Sequence, residues 1–252
     1  MVLRKGGQFT DSRIRFYGRK AILFWVLGVL VVLFSLYWAS PQIGLVGVAV
    51  LFVLVKFNLR RWQSWTRGKI GESAVTRALC GLPDEYVLLN DLMLPDGKGN
   101  VDHLVIGPKG LYVIETKNYS GDVKCDRDDW FVNGRKIGSL SRQAKRNAMA
   151  VKANLEEIFV DQQNKLPFVN AVLVFTKRGS RLNLKQATVP VLREYELAAF
   201  IRNCESNGCR TECFSPELTR AVVHHFHLLQ QKPDGLSRKS ELLRRVIAKS
   251  NN

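Results

Sequence analysis

Asp102, Glu115 and Lys117 stand in two otherwise apolar segments, 101–106 and 111–117, separated by Gly-Pro-Lys-Gly. Period-two alternation puts Asp102, Leu104 and Ile106 on one face of the first segment, and Leu111, Val113, Glu115 and Lys117 on one face of the second. A hairpin turning about the centre of 107–110 sets Ile106 opposite Leu111, Leu104 opposite Val113 and Asp102 opposite Glu115. Carboxylates that close, about 5 Å between Cβ atoms, repel one another. A divalent cation is the economical compensation. Mg²⁺ takes oxygen ligands, usually one or two carboxylates, with water and substrate phosphate completing the shell. A lysine two residues beyond then orients water or steadies charge on the phosphate. The competing reading pairs Glu115 with Lys117 or Lys109 at a sheet edge and does no chemistry.

Several elements must position these groups. Residues 67–81 read as a helix ended by Gly81 and Pro83, with Glu72, Val75 and Leu79 on one stripe. Glu72 is therefore not on a purely polar face. Residues 85–94 read as a strand closed by the turn at 95–100, and short strands follow at 122–125, 129–132 and 135–137. Asn133-Gly134 is a type I′ hairpin signal. Residues 139–160 read as a helix burying Ala144, Ala148, Val151, Leu155 and Ile158. Gln143 and Asn147 border that stripe, with Arg142, Lys145, Arg146 and Lys152 around them. This basic face suits a phosphate backbone, or is simply solvated. The apolar run 168–176 reads as a strand buried on both faces. By alternation His103 faces away from Asp102, which predicts a packing role.

The N-terminal region is of a different kind. Residues 21–40 are uncharged and as long as a bilayer span needs, roughly 20 residues. After Pro41 and Gln42, residues 43–59 form a second, shorter span holding only Lys56. Arg4, Lys5, Arg13, Arg15, Arg19 and Lys20 precede the first span, Arg60, Arg61, Arg67 and Lys69 follow the second, and the turn between them has no charge. The positive-inside rule then predicts a hairpin with both ends cytoplasmic. The chain of 252 residues carries a net charge of +16, which calls for a polyanionic partner: nucleic acid, anionic lipid headgroups, or both. Five cysteines without dense spacing fit free thiols rather than a disulfide framework.

The segments "GKIGE", "VDHLVIGPKGLYVIETKNYSG", the tryptophan that follows and the glutamine of "SRQAKRNA" together resemble the nuclease-related domain (NERD) family, over about residues 67–176. The resemblance implies the restriction-endonuclease-like PD-(D/E)xK fold, a mixed sheet between helices, and a Mg²⁺-dependent phosphodiesterase site. Position by position it implies Asp102 as the acid of the first motif strand, Glu115 and Lys117 as the (D/E)xK pair, Glu72 as the first-helix acid and Gln143 as the motif glutamine. One departure is Val101, where the pattern has proline before the acid.

Beyond 176, residues 194–204 and 215–231 read as helices, with Ser215 and Pro216 as N-cap and first residue of the second. Cys204, Cys209 and Cys213 precede His224, His225 and His227, but the spacing lacks the paired C-x2-C of zinc sites and argues against zinc. The basic tail reads as an amphipathic helix at a membrane surface or a frayed end. The fold expected is α/β, a restriction-endonuclease-like mixed sheet flanked by helices. The expected plan is a basic cytoplasmic segment at 1–20, a transmembrane helical hairpin at 21–60, the nuclease-like domain at 67–176 and a helical extension with basic tail at 177–252. The function expected is Mg²⁺- or Mn²⁺-dependent hydrolysis of DNA or RNA at the cytoplasmic face of a cell membrane of the bacterial inner-membrane kind. Asp102, Glu115 and Glu72 would serve the metal, Lys117 and Gln143 the reaction, and Arg142, Lys145 and Arg146 the nucleic acid. The alternatives are a catalytically inactive nucleic-acid-binding or adaptor module, and a structural membrane protein whose basic surface meets anionic lipid.

Overall fold

The computed structural model describes residues 2–4, 9–37, 41–94, 100–159, 167–203 and 214–231. Strand β1 (Val2–Arg4) is followed by helices α1 (Phe9–Tyr37) and α2 (Pro41–Leu79). Strands β2 (Val87–Met93), β3 (Asn100–Gly107), β4 (Gly110–Lys117), β5 (Asp122–Asp126), β6 (Asp129–Val132) and β7 (Arg135–Ile137) lead to helix α3 (Leu140–Phe159). Strands β8 (Val169–Phe175), β9 (Arg181–Lys185) and β10 (Val191–Arg193) then precede helices α4 (Leu197–Arg202) and α5 (Pro216–Gln231). The chain divides into two compact units, Gln8–Ile70 and the remainder, so that Met1–Gly7 belongs with Gly71–Asn252.

In the first unit α1 and the first part of α2 pack antiparallel. Arg61 Nη1 donates to Tyr17 Oη at 3.2 Å, and Lys69 pairs with Asp11. A Cβ on Gly47 would fall 2.6 Å from Val31 Cγ1, so the glycine permits the close approach of the two helices. Among the described residues one helical segment, Thr10–Ser35, is long and apolar enough to cross a membrane. The sequence separates a span at 43–59 from a domain helix at 67–81, whereas the structure runs both into α2. Nothing between Arg60 and Thr66 is a helix breaker, so the helix continues.

The second unit holds two sheets. The larger has the order β1-β2-β3-β4-β8-β10, with β2-β3-β4 antiparallel and β1, β8 and β10 each parallel to its neighbour. The smaller has the order β7-β6-β5-β9. On one face of the large sheet Leu104, Ile106, Leu111 and Val113 meet Ala148, Val151 and Leu155 of α3 and Val222, Val223 and Phe226 of α5. On the other face Val105, Tyr112, Ile114, Val172 and Val174 meet Val75 and Leu79 of α2 and Leu197 and Ile201 of α4. The result is a mixed α/β architecture with helices on both faces. The small sheet closes a third cluster, in which buried Trp130 stacks on Phe175 and donates to Ser141 Oγ at 2.9 Å.

The hairpin register pairs Ile106 with Leu111 and Leu104 with Val113, as alternation predicts. Asn133-Gly134 turns with positive φ at both residues. Ser215 Oγ accepts from the Leu218 N–H at 3.2 Å at the start of α5. Strands β1, β9 and β10 have no counterpart in the sequence reading. The turn at 95–99, Cys204, Cys209, Cys213 and the tail from 232 lie outside the described residues, as does the Ile158 side chain.

Candidate functional site

The site lies where β3 and β4 part. Their regular pairing extends to His103 opposite Ile114. Beyond that point the Asp102 side chain takes over, its Oδ2 accepting from the Thr116 N–H at 2.7 Å. Asp102 and Glu115 therefore sit at the mouth of the hairpin rather than as one more rung of the ladder. Strand β8 runs parallel along the other side of β4, with Glu115 beside Leu173 and Lys117 beside Phe175.

Glu115 is 3% exposed and fully engaged. Its Oε1 accepts from the Lys117 ammonium at 2.7 Å and from Gln143 Nε2 at 2.6 Å. Lys117 also donates to Gln143 Oε1 at 3.1 Å, closing a three-membered ring of side chains. The second oxygen, Oε2, accepts from Asn147 Nδ2 at 2.8 Å. Gln143 and Asn147 are one turn apart on α3, so one helix presents two amides to the two oxygens of one carboxylate. Asn147 Nδ2 also reaches the Asn100 carbonyl at 3.4 Å, and Asn100 bonds Asp91. The sequence placed Asn147 beside the buried stripe but assigned it no part in the site. The signal that points to it is its spacing of four residues from Gln143.

Electrostatics follow from burial. Burial, then the charges of Glu115 and Glu72, push the Asp102 carboxyl well above the usual carboxylate range, against the Thr116 N–H and Lys117. Burial works to lower the Lys117 ammonium, but the charge of Glu115 and its hydrogen bond outweigh it, so Lys117 titrates above its ordinary value and stays protonated at neutral pH. Glu72 is carried by α2, which lies close on the β4–β8 edge. A Cβ on Gly71 would stand 3.0 Å from Thr176 Oγ1 and 3.2 Å from Thr116 Cγ2 and Asn118 Cβ, so only glycine leaves this contact unstrained. The structure thus brings Asp102, Glu115, Lys117 and Gln143 together and sets the charge of Glu72 within reach of Asp102.

The basic face of α3 is less free than its sequence implies. Arg142 and Lys145 lie 3.9 and 3.7 Å from Asp128, and Lys145 also donates to Thr188 Oγ1 at 2.6 Å. Arg146 is exposed. His103 is buried on the opposite face with Nδ1 2.7 Å from Asn90 Oδ1, and burial pushes it down to about 3.

As donors, the carboxylates of Asp102, Glu115 and Glu72 offer oxygen only, which suits Mg²⁺ or Mn²⁺ rather than a softer metal. The like charges gathered on Asp102 are what a divalent ion would relieve. Among the described residues, however, no three of His, Cys, Asp and Glu already stand together as a ready-made ligand set. Lys117, Gln143 and Asn147 hold the Glu115 oxygens instead.

Residues 67–176 match the family model of the nuclease-related domain. An uncharacterised protein of Bacillus anthracis is 38% identical over 84 residues, which cover 31% of this chain and 38% of that protein. The chain thus aligns with well under half the length of this relative. No solved structure matches the chain.

Proposed function

We propose that the protein is a membrane-anchored nuclease that hydrolyses phosphodiesters of DNA or RNA with Mg²⁺ or Mn²⁺. The observation that carries this reading is the ring of Glu115, Lys117 and Gln143 beside Asp102, in a domain of the nuclease-related family. Asp102 and Glu115, with Glu72 behind them, would hold the divalent ion, which supplies charge neutralisation at the phosphate and a more acidic bound water. Lys117, protonated and anchored by two acceptors, steadies negative charge on the scissile phosphate. Gln143 fixes the lysine and the glutamate relative to one another, and Asn147 holds the second Glu115 oxygen.

Membrane anchoring is supported by α1 and by connectivity. Both flanks of Gln8–Ile70 belong to one compact unit, and β1 pairs in parallel with β2. A segment that leaves and re-enters the same folded body crosses a bilayer an even number of times, which fits two spans. The basic flanks then favour a cytoplasmic domain.

A second reading, a nucleic-acid-binding or adaptor module without turnover, is favoured by the occupied Glu115 oxygens. The two separate in a cleavage assay of the full chain in detergent, on labelled single- and double-stranded DNA and RNA. The nuclease reading expects Mg²⁺-dependent products from the wild type and a loss of about 100-fold or more in Lys117→Ala, on the scale of removing one charge-stabilising donor. Binding without products, unchanged by Mg²⁺ or Mn²⁺, establishes the adaptor instead.

A further inference from the structure

Strands β4, β8 and β10 are parallel, so their carboxyl ends share one edge of the large sheet. In register across that edge stand Lys117, Phe175 and Arg193. Ligands of open α/β sheets gather at such ends. Immediately after β8 the Thr176 N–H donates to the Lys117 carbonyl at 3.0 Å, and the chain then makes a tight turn through Lys177, Arg178, Gly179 and Ser180.

Arg193 holds that turn from inside. Its Nη1 donates to the Lys177 carbonyl at 2.9 Å and to Ser180 Oγ at 2.8 Å, and its Nη2 donates to the Ser180 carbonyl. Ser180, itself buried, closes the turn with its N–H and hydroxyl on the Lys177 carbonyl at 3.1 and 2.8 Å. The guanidinium is spent within the turn, on two carbonyls and the Ser180 hydroxyl, while the side chains of Lys177 and Arg178 are exposed. Lys177 is exposed and has no ion pair among the described residues. Arg178 is 93% exposed and touches Glu194 at 3.6 Å. Arg142 and Lys145 on α3 are likewise paired, both with Asp128, so Lys177 is the cation that differs.

We infer that the turn 177–180 is a preorganised platform for the nucleic-acid backbone at the rim of the site, with Lys177 and Arg178 on phosphates and Arg193 as the positioning residue. The inference rests on the nucleic-acid reading above and names the surface that reading lacks. A rigid turn loses little freedom on binding, so two cations on it count for more than two on mobile side chains of a loose loop. Cations placed two and three residues beyond the register partner of Lys117 hold a strand where the catalytic lysine can meet it.

The test uses the full chain in nanodiscs of neutral lipid, with EDTA present, and fluorescence anisotropy of labelled 20-mer duplex DNA and duplex RNA across salt concentrations. Lys177→Gln with Arg178→Gln should weaken binding about tenfold, and the log–log salt slope on DNA should shrink by about 0.9 for each phosphate no longer neutralised. Arg193→Gln should weaken binding severalfold with the slope unchanged, because the cations remain and only their placement is disturbed. Arg142→Gln with Lys145→Gln should do less than the turn variant. A turn variant with wild-type affinity and slope overturns this inference and leaves the nucleic-acid reading standing. Absence of binding by the wild-type chain overturns both.

Discussion

Leu30 in α1 is 55% exposed, and Leu104 in β3 is fully buried. The same contrast holds across their units: Leu23, Trp25, Leu33 and Phe34 stand open along α1, whereas Ile106, Leu111, Val113 and Ile114 are shut inside the sheet layers. The α/β unit makes its own apolar interior from both faces of one sheet. Among the described residues the helices of Gln8–Ile70 leave many apolar side chains open, and one of their segments, Thr10–Ser35, is long and apolar enough to cross a membrane. On the proposed membrane anchoring, an identical residue type carries stability in one unit and solvent preference in the other.

Substitution of the two leucines sharpens this. Leu104→Ala should cost about 2–5 kcal/mol of stability, from reduced burial and the cavity left behind. Leu30→Ala should change the stability of the chain in detergent by less than about 0.5 kcal/mol. Leu30→Arg should cost about 3 kcal/mol of membrane insertion, read as a shift of the chain out of the carbonate-washed membrane fraction. A reporter fused after Asn252 should be cytoplasmic in the same cells. Equal melting losses from Leu104→Ala and Leu30→Ala, or membrane retention unaltered by arginine, would erase the contrast.

A smaller difference lies in acid sensitivity. No histidine occurs in Gln8–Ile70. In the α/β unit His225 is buried, its Nε2 without a hydrogen-bond partner among the described residues, and burial lowers its pKa, against a bond involving the Asn154 backbone. A depressed imidazole stays neutral in the folded state while the unfolded chain takes up a proton below about 6.5. Stability is therefore lost as pH falls through that value, by at most about 1.4 kcal/mol per pH unit for one histidine. His225→Gln should flatten the fall in melting temperature between pH 6.5 and 5. Coincident profiles for variant and wild type mean that His225 is free to protonate in the folded state.

What the sequence made legible was local or periodic. Alternation and Gly-Pro-Lys-Gly were enough for the β3–β4 register, because one slip would turn Leu104 and Ile106 outward. Asn133-Gly134 was enough for the β6–β7 turn. What escaped depends on partners far along the chain. Arg181–Lys185 reads as a charged, half-apolar stretch and becomes a strand only by lying parallel to β5. Val2–Arg4 is too short to announce itself and is ordered by β2. Arg142 and Lys145 look free until Asp128 and Thr188 come across from other segments. In the site, Asp102, Glu115 and Lys117 could be named from alternation and register, and Gln143 from the family resemblance, but that Asp102 would cap the Thr116 N–H needed the point where β3 and β4 part, and that Asn147 would join Gln143 on Glu115 needed the placement of α3 on the sheet.

The proposed sharing of a divalent ion by Asp102 and Glu115 is tested most directly by metal-linked melting of the full chain in detergent. A ligand that binds only the folded state stabilises it by about 2.7 kcal/mol at a hundredfold excess over Kd. Mg²⁺ or Mn²⁺ should therefore raise the wild-type melting temperature. Asp102→Asn should melt no lower than wild type without metal, since it removes a repelled carboxyl, and should lose most of the metal response. Glu115→Gln should melt lower, because an amide cannot accept from Lys117, Gln143 and Asn147 as the carboxylate does, and should lose the response as well. Lys117→Ala should keep the response. If both acid variants answer Mg²⁺ and Mn²⁺ as the wild type does, the carboxylates hold no common ion, and Glu115 with Lys117 is a structural ion pair in a strand.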